Sequence, residues 1–354
     1  MAKPYVKPFR VINAITIDIG GTNVRVSAAR CNYNAKTWKS LARTVIFRSP
    51  ANQEELERQI GDSMVAIRDE CKEKLEVVAV CAAGILDSHK STLISLCNQP
   101  GWESINFEDI TRKYCPEIMV TDGYFPYPVY VENDAKSAAL AQYYFAKYPN
   151  KENLLYLTCS TGMGAGIIQD GLPLLGGQGL AGEVGHMIIS TDPTAPLCGC
   201  GQRGCWEAFV GLNNFARNAR IWLDFIELDE PWYMTAKNSE QGLRAEDIFR
   251  AAIKDNDASA YYLVKNWVEY MAIGLGNLIM AYNPLTIVLG TVVQYWGEPL
   301  LQMIRQELEY RFYGMPRQIE HCLLTANQLP RLEVLAPLAA ALRHHSLIYG
   351  WEIK

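Results

Sequence analysis

The sequence predicts a mixed α/β protein whose two domains face each other across a cleft. Strand-like and helical segments alternate along the chain, as they do in layered α/β folds. Residues 14–29 and 154–168 repeat one order, an apolar strand, a Gly/Thr-rich turn and a second apolar strand, which indicates duplicated domains. The length of 354 residues is sufficient for two hydrophobic cores.

The N-terminal elements follow from local patterns. Ala14–Ile19 and Val24–Ala29 are β-branched segments on either side of Gly-Gly-Thr, so they predict a hairpin. A further strand over Ser40–Phe47 would complete a three-stranded meander. Gln53–Lys74 has apolar residues at helical spacing, and the continuous apolar run Val77–Ala82 predicts a buried strand.

Comparable patterns continue through the second half. A short strand is predicted at Val129–Val131, followed by an Ala-rich helix to about Tyr148. A second hairpin begins with Leu154–Thr158 and returns at Ile167. Met271–Gly290 is interrupted by Asn and Pro, so it predicts a helix, a turn and a buried strand, not a membrane span.

The C-terminal segment Val334–Tyr349 predicts an apolar helix. Pro337 falls within it, and a helix tolerates proline in its first turn, where no intrahelical N–H is needed. His344 and His345 are expected at the exposed end of this helix.

Composition restricts the function classes. The content is 49% hydrophobic and 20% charged, which is ordinary for a globular protein. A net charge of −5 provides no basic face for nucleic acid. The ten cysteines are mostly scattered, and no apolar secretory segment follows the charged N-terminus. We therefore expect thiols in a cytoplasmic protein, with no nucleic-acid or membrane partner.

The first hairpin turn carries the sequence DIGGT. Gly20 and Gly21 allow backbone N–H groups to converge on an anion, Thr22 adds a hydroxyl, and Asp18 is placed to hold Mg²⁺ or its water. A plain hairpin turn, with glycines chosen for positive φ angles, explains this motif alone equally well. A second turn, CSTGMGAG (159–166), repeats the glycine-rich pattern, and the pair favours a phosphate site.

Asn133 and Asp134 lie where a strand enters a helix. At such a junction Asp is a common N-cap, and this interpretation stays open. The alternative is that both side chains project into a cleft, where Asp134 accepts a proton from a hydroxyl during phosphoryl transfer.

Residues 179–207 contain the densest set of metal-binding side chains. Eleven residues separate the histidine from the first cysteine, and the cysteines follow as C-x-C-x4-C. Three thiolates and one imidazole complete a closed tetrahedral zinc shell, which indicates a structural ion. The alternative is a turn with buried thiols and an unrelated histidine. The four candidate ligands are His186, Cys198, Cys200 and Cys205.

Two features of this zinc knuckle bear on its local structure. Glycines at 199, 201 and 204 fit a chain that must wrap closely around a metal. Glu183 and Glu207 bracket the ligands, and we expect the ion to hold these carboxylates in place.

Four motifs resemble the ROK family (repressors, open reading frames, kinases) of the actin-like, ribonuclease-H-like ATPase fold. The resemblance runs from Ile15 to about Gly290, and its zinc motif with flanking glutamates is highly specific. It implies an ATP-dependent kinase for a hexose, with glucose the commonest substrate, together with Mg²⁺ and structural zinc. The motifs are DIGGTNVR (18–25), VENDAKSAAL (131–140), STGMGAG (160–166), and GEVGH with CGCGQRGCWE (182–186 and 198–207).

The resemblance also implies roles for individual residues. Asp134 would be the catalytic base. The sugar ligands would be Asn98, Asn133, Asp134, Glu183, His186 and Glu207. Phosphate, Mg²⁺ and nucleotide would be bound by Asp18, Gly20, Gly21, Thr22, Thr161, Gly162, Gly164 and Gly290.

The resemblance implies a domain division and a homodimer as well. Residues 1–134 would form the first domain, residues 135–333 the second, and the helix within 334–354 would pack back on the first. The chain departs from the family pattern after the strand at 77–82, where Ala83 precedes Gly84. In VLGTVV only Gly290 of the usual adenosine glycines is kept, so the adenine contacts and the phosphate donor stay open.

Other functions remain as alternatives. The acceptor is open among glucose, N-acetylglucosamine, N-acetylmannosamine, allose and fructose. A repressor of the same group would need a helix-turn-helix, for which too few residues precede Ala14, and a basic face. A sugar-binding protein without catalysis is the third possibility. The stretches 118–128 and 223–234 would trim a pocket, form an oligomer face or elaborate the surface.

Overall fold

The computed structural model describes residues 11–32, 36–87, 91–96, 99–120 and 127–349. It divides into two compact units. The first comprises Met1–Lys147 and Leu329–Lys354, and the second comprises Tyr148–Gln328. The sequence placed the division after residue 134, whereas the helix that begins at this residue lies in the first unit.

The first unit contains a large sheet, a small sheet and four α-helices among its described residues. A 3-10 turn over Pro116–Met119 follows the second helix. The elements are β1 (Val11–Ile19), β2 (Asn23–Asn32), β3 (Thr37–Ser40), β4 (Val45–Arg48), α1 (Gln53–Glu70), β5 (Val77–Ala82), β6 (Ile85–Asp87), β7 (Thr92–Leu96), β8 (Gln99–Asn106), α2 (Phe107–Tyr114), β9 (Val129–Asn133), α3 (Asp134–Phe145) and the C-terminal α12 (Leu332–Tyr349).

The large sheet has the strand order β3–β2–β1–β5–β9, and β4 also pairs with β2. The β1–β2 hairpin is antiparallel, whereas β1, β5 and β9 run parallel. The predicted meander is confirmed, but Ser40–Phe47 is not one strand. Ser40 donates its hydroxyl to the carbonyl of Ala42 at 2.7 Å, and the chain pairs with β2 as two short strands on either side of this bend.

Helices cover the large sheet of the first unit. Ile15, Ile17 and Ile19 of β1 share a fully buried core with the apolar side of α1. Asn52 caps α1 by accepting from the Glu55 amide at 3.0 Å. The C-terminal α12 packs against α3 and the β1–β5–β9 strands, so the expectation that this helix returns to the first unit is confirmed.

Pro337 lies in the second turn of α12, so the expectation that this helix tolerates proline only in its first turn is wrong. The helix begins at Leu332, so proline is the sixth helical residue. It has no N–H for the carbonyl of Glu333. The helix persists because packing against α3 and the sheet, not local propensity, supplies most of its stability.

The second unit contains one sheet and eight α-helices among its described residues. A 3-10 turn over Val184–His186 separates the sheet hairpin from the helices. The elements are β10 (Leu154–Cys159), β11 (Met163–Gln169), β12 (Leu172–Pro173), α4 (Trp206–Val210), α5 (Leu212–Phe225), α6 (Pro231–Lys237), α7 (Ala245–Ile253), α8 (Ala258–Tyr282), β13 (Thr286–Leu289), α9 (Val292–Trp296), α10 (Glu298–Arg311), α11 (Pro316–Glu320) and β14 (Leu323–Ala326).

The sheet of the second unit has the order β12–β11–β10–β13–β14. An antiparallel hairpin, β10–β11, is followed outward by the parallel strands β13 and β14. The first unit has the same arrangement in β2–β1–β5–β9, so the internal repeat predicted from the two hairpins is confirmed. The predicted helix, turn and strand over Met271–Gly290 are also confirmed.

Among the described residues, no helix combines the length and the apolar character needed to cross a lipid bilayer. The most apolar long helix, α8, ends at Asn283, which adopts a left-handed conformation with φ of 43°.

Candidate active site

The carboxyl ends of β1, β5 and β9 meet at one edge of the first unit's sheet. In this parallel register Asp18 lies opposite Cys81, and Ala82 lies opposite Asn133. The DIGGT turn and the Asn133–Asp134 pair therefore share one edge, because each follows a strand of the same parallel set. Such an edge is where ligands bind in open α/β sheets.

Asp18 is a largely buried carboxylate with two partners. Its Oδ2 accepts from Nη1 of Arg25 at 3.0 Å, and its Oδ1 accepts from the Cys81 thiol at 3.4 Å. Burial raises the pKa of Asp18, while the Arg25 guanidinium and the Cys81 thiol oppose that rise. Asp18 and Arg25 are cross-strand neighbours in the hairpin, and this register is the signal that would have identified Arg25 from the sequence.

The turn after Asp18 is open on its outer side. The Gly20 amide donates to the carbonyl of Asn23 at 3.0 Å, and the Ser49 amide donates to the carbonyl of Thr22 at 2.9 Å. Neither Gly20 nor Gly21 has a positive φ, so the explanation of the two glycines by positive φ angles is wrong. A Cβ on Gly21 would have no neighbour within 4 Å, which leaves its backbone accessible to a ligand.

Asn133, not Asp134, caps helix α3. The Asn133 side chain accepts from the amide of Lys136 at 3.1 Å, so the N-cap interpretation of Asp134 is wrong. Asp134 is the first helical residue, and its Oδ1 accepts from the Ala135 amide at 2.7 Å. The positive end of the helix dipole stabilises a negative charge at this position.

Glu132 connects this edge of the sheet to α12. Its Oε1 accepts from the Asn133 amide at 2.9 Å, and its Oε2 lies 3.6 Å from Nε2 of His344. Burial alone would raise the pKa of Glu132, but His344 and the Asn133 amide outweigh it, and the pKa is lowered. His344 also stacks on Tyr130, so its expected place at an exposed helix end is wrong. The side chain of His345 lies outside the described part of the structure.

The second glycine turn is shorter than the sequence predicted. The Ser160 amide donates to the carbonyl of Gly162 at 2.9 Å, and β11 starts at Met163. Thr161 is exposed at the tip, whereas Gly164 is a strand residue opposite Thr158. The predicted turn over 159–166 is therefore wrong in extent, because residues 163–166 continue the β ladder with β10.

Gly290 follows β13 at the same edge of the second sheet. Its amide donates to the carbonyl of Leu157 at 2.8 Å, and a Cβ at this position would lie 2.3 Å from the Tyr156 hydroxyl. The next residue, Thr291, has φ of 49°, which is rare for a β-branched residue and marks local strain. Its hydroxyl lies 2.9 Å from that of Thr158. The sequence did not identify Thr158 or Thr291 as neighbours of this turn.

The four predicted metal ligands converge. Ligand atoms of His186, Cys198, Cys200 and Cys205 all lie within 4.8 Å of one another. Nδ1 of His186 is 3.7 Å from the Cys198 sulfur, and the Cys200 and Cys205 sulfurs are 3.7 Å apart. These separations are about those of two ligands on one tetrahedral zinc ion, so the residues present fit zinc. The nine described cysteines are free thiols.

Two of the three knuckle glycines have the backbone geometry expected for them. Gly201 has φ of 88° and Gly204 has φ of 76°. A Cβ on Gly204 would also lie 1.9 Å from the carbonyl oxygen of Ser190. The expectation for Gly199 is wrong, because its φ is not positive and the space around it is open.

The two glutamates that bracket the knuckle differ in their surroundings. Glu183 is exposed and directly precedes the 3-10 turn that carries His186. Glu207 is half-buried in the first turn of α4. Its Oε2 accepts from the Met163 amide at 2.8 Å, and a Cβ on Gly162 would approach this oxygen to 2.5 Å.

The predicted site residues thus form two groups, one in each unit. The first unit collects the DIGGT turn with Asn133 and Asp134. The second unit collects the glycine turn at 160–162, Gly290, the metal ligands and both glutamates. Asn98 lies outside the described residues.

Comparison with known proteins decides the family. A family model described as "ROK family" matches residues 14–329. The chain belongs to the ROK family.

Relatives of this ROK protein include both enzymes and regulators. The glucokinase of Halalkalibacterium halodurans is 36% identical over 190 residues, which cover 54% of this chain and 56% of the relative. The xylose repressor of Bacillus subtilis is 27% identical over 238 residues, which cover 67% of this chain and 53% of the relative. The chain therefore spans little more than half the length of these two curated relatives.

A solved structure extends the likeness over nearly the whole chain. The ROK family glucokinase from Streptomyces griseus, in complex with glucose and AMPPNP, has a TM-score of 0.73 and 25% identity, and the match covers 93% of this chain and 98% of that chain. The ROK protein therefore has the mixed α/β, two-domain fold of the ROK glucokinases.

Proposed function

We propose that this ROK protein transfers the γ-phosphoryl group of ATP to a hexose hydroxyl, with glucose as the expected acceptor and glucose 6-phosphate as the product. The observation that carries the proposal is that Asp134 lies at the sheet edge that bears the DIGGT turn. Asn133 caps helix α3, so Asp134 is the first helical residue, where the helix dipole stabilises its carboxylate as an anion.

The proposed step needs one base and little other covalent chemistry. The hydroxyl oxygen of the sugar attacks the γ-phosphorus, and a new O–P bond forms. The bond from the γ-phosphorus to the bridging oxygen breaks, and ADP leaves with that electron pair. The hydroxyl proton passes to the carboxylate of Asp134, which acts as general base.

Sugar recognition is assigned to Asn98, Asn133, Glu183, His186 and Glu207. Since Oδ1 of Asn133 accepts from the helix, its Nδ2 group would donate to a hydroxyl. The exposed Glu183 carboxylate would accept from sugar hydroxyls. A bound zinc ion would supply structural rigidity, because its shell is complete without substrate.

Phosphate binding is assigned to one glycine turn in each unit. Gly20, Gly21 and Thr22 present an accessible backbone and hydroxyl in the first. Asp18 would hold Mg²⁺, directly or through water. In the second unit the assignment is to Thr161, Gly162, Gly164 and Gly290. The AMPPNP and glucose in the Streptomyces griseus glucokinase support ATP as donor.

A phosphotransfer screen tests the proposal. The purified protein is incubated with Mg²⁺, ATP and each of glucose, N-acetylglucosamine, N-acetylmannosamine, allose and fructose, and the sugar phosphate is detected directly by mass spectrometry. A parallel series uses polyphosphate as donor. We expect ATP-dependent formation of a hexose phosphate, strongest with glucose. No sugar phosphate from any hexose with either donor would refute the kinase assignment.

The match to a xylose repressor supports one alternative, a sugar-sensing protein without catalysis. Calorimetric sugar binding in the absence of any phosphotransfer would favour it. A homodimer remains a further proposal, and light scattering on the purified protein would test it.

A further inference from the structure

The second glycine turn is held by the segment that follows the metal knuckle. The Met163 amide donates to Oε2 of Glu207 at 2.8 Å. At the other end of the turn, the carbonyl of Ser160 accepts from the Leu212 amide at 2.8 Å. Both partners belong to the stretch that begins directly after the last knuckle cysteine. The turn is thus bonded to this stretch at both ends.

The segment before the knuckle packs on the same strand. A Cβ on Gly185 would lie 2.4 Å from the carbonyl oxygen of Met163, and one on Gly182 would lie 2.7 Å from that of Ala165. The two backbones are therefore in direct contact. The backbone of Met163 is therefore contacted on both sides, by Glu207 at its N–H and by Gly185 at its carbonyl.

Gly162 completes this arrangement. Its missing side chain leaves the space that the Glu207 carboxylate occupies, since a Cβ would lie 2.5 Å from Oε2 and 3.2 Å from Cδ. The position of the Glu207 carboxylate, in the same unit, therefore explains why residue 162 is a glycine. This contact exists whether or not the turn also receives a phosphate.

The knuckle determines where Glu207 lies. Helix α4 starts one residue after Cys205, so Glu207 follows a metal ligand by two positions. Its Oε1 lies 3.5 Å from the Cys198 sulfur. Trp206, between Cys205 and Glu207 in the chain, is completely buried, and its amide donates to the carbonyl of Met187 at 2.8 Å. The carboxylate is thus tied to Cys205 through the chain and to Cys198 by direct contact.

We infer that Glu207 is a positioning residue through which the metal knuckle orders the second glycine turn, so that zinc occupancy controls how well this turn binds a nucleotide phosphate. The nucleotide part of this inference rests on the proposed function. The coupling between metal and turn does not, because it depends only on contacts within the second unit.

Hydrogen exchange resolved to single amides tests the coupling. The full chain is compared in its zinc-loaded form and after removal of zinc by a chelator, with the metal content measured by mass spectrometry. We expect the Met163 amide to exchange roughly 10- to 100-fold faster without zinc, because a hydrogen bond to a charged acceptor is lost. A fluorescent ATP analogue should bind more weakly to the zinc-free protein.

Variants separate the carboxylate from the metal. Glu207→Ala should accelerate exchange at Met163 even at full zinc occupancy, and Glu207→Gln should retain most of the protection because its amide oxygen still accepts. Gly162→Ala should act like Glu207→Ala by displacing the carboxylate. Cys200→Ser should reproduce the zinc-free state, whereas Cys71→Ser, outside the knuckle, should not.

Unchanged exchange at Met163 on zinc removal, with zinc loss verified, would overturn the inference. So would normal protection in Glu207→Ala. If the protein proves to transfer no phosphate but its turn still loses protection without zinc, the kinase proposal fails and the coupling stands. If zinc removal unfolds the whole protein, the amides of α8 also lose their protection from hydrogen exchange. The Glu207 and Gly162 variants, measured at full zinc occupancy, then test the role of the carboxylate without unfolding.

Discussion

Replacing Gly204 by alanine tests whether the knuckle needs the backbone geometry seen here. Its Cβ would lie 1.9 Å from the Ser190 carbonyl oxygen, whereas carbon and oxygen approach to about 3.3 Å at closest. The chain would have to move by more than about 1 Å. It is held at this point, because Ile189 donates to the Gly204 carbonyl at 2.8 Å and the Gly204 amide donates to Pro196 at 3.1 Å.

The energetic cost follows from two effects. Alanine at φ of 76° costs about 1–3 kcal/mol, and overpacking adds about 1–3 kcal/mol. Even the lower sum, about 2 kcal/mol, corresponds to a fall in melting temperature of at least about 4 °C for a unit of this size.

Thermal unfolding followed by circular dichroism and metal analysis by mass spectrometry provide the assay. Gly199→Ala is the matched control, because this glycine belongs to the same knuckle but has open space and an ordinary φ. We expect Gly204→Ala to lose stability and zinc, and Gly199→Ala to keep both. Wild-type zinc content and melting temperature in Gly204→Ala would show that the knuckle does not need this backbone conformation.

Two further predictions concern the first unit. Arg25→Met removes the cation that opposes the burial-driven rise in the pKa of Asp18, so the acid limb of kcat/KM against pH should move to higher pH; an unmoved limb would remove Asp18 from catalysis. Because the folded-state pKa of Asp18 then lies further above its unfolded-state pKa, the stability of the protein should fall with rising pH over a wider pH range. Gly21→Ala adds a Cβ with no protein neighbour within 4 Å, so the melting temperature should stay within about 2 °C while the KM for ATP rises and that for sugar does not; an unchanged KM for ATP would exclude a phosphate at this turn.

The sequence predicted the secondary structure and the repeat well because these depend on local patterns. The two hairpins and the buried strand at 77–82 are set by β-branched runs and glycine turns. Errors arose where tertiary contacts override local signals. Pro337 sits in the second turn of α12 because this helix is packed against the sheet, and His344 is drawn to Tyr130 and Glu132 from another element.

The site was predictable where side-chain chemistry is itself the signal. Three cysteines and a histidine with ligand spacing identified the knuckle without any structure, and their ligand atoms do converge. The contacts of Glu207 with the Met163 amide and Gly162 were not predictable, because they join segments 44 residues apart in the chain through backbone groups that carry no sequence signature.

Asp134 is proposed to accept the hydroxyl proton during phosphoryl transfer to a hexose. This role is tested by following transfer of the ³²P label from γ-labelled ATP to glucose by wild type and Asp134→Asn, with glucose binding to both proteins measured by calorimetry. We expect the transfer rate to fall by about 10²–10⁴-fold with glucose affinity little changed, since the amide keeps the side chain's shape. Transfer by Asp134→Asn at the wild-type rate would show that Asp134 is not the base.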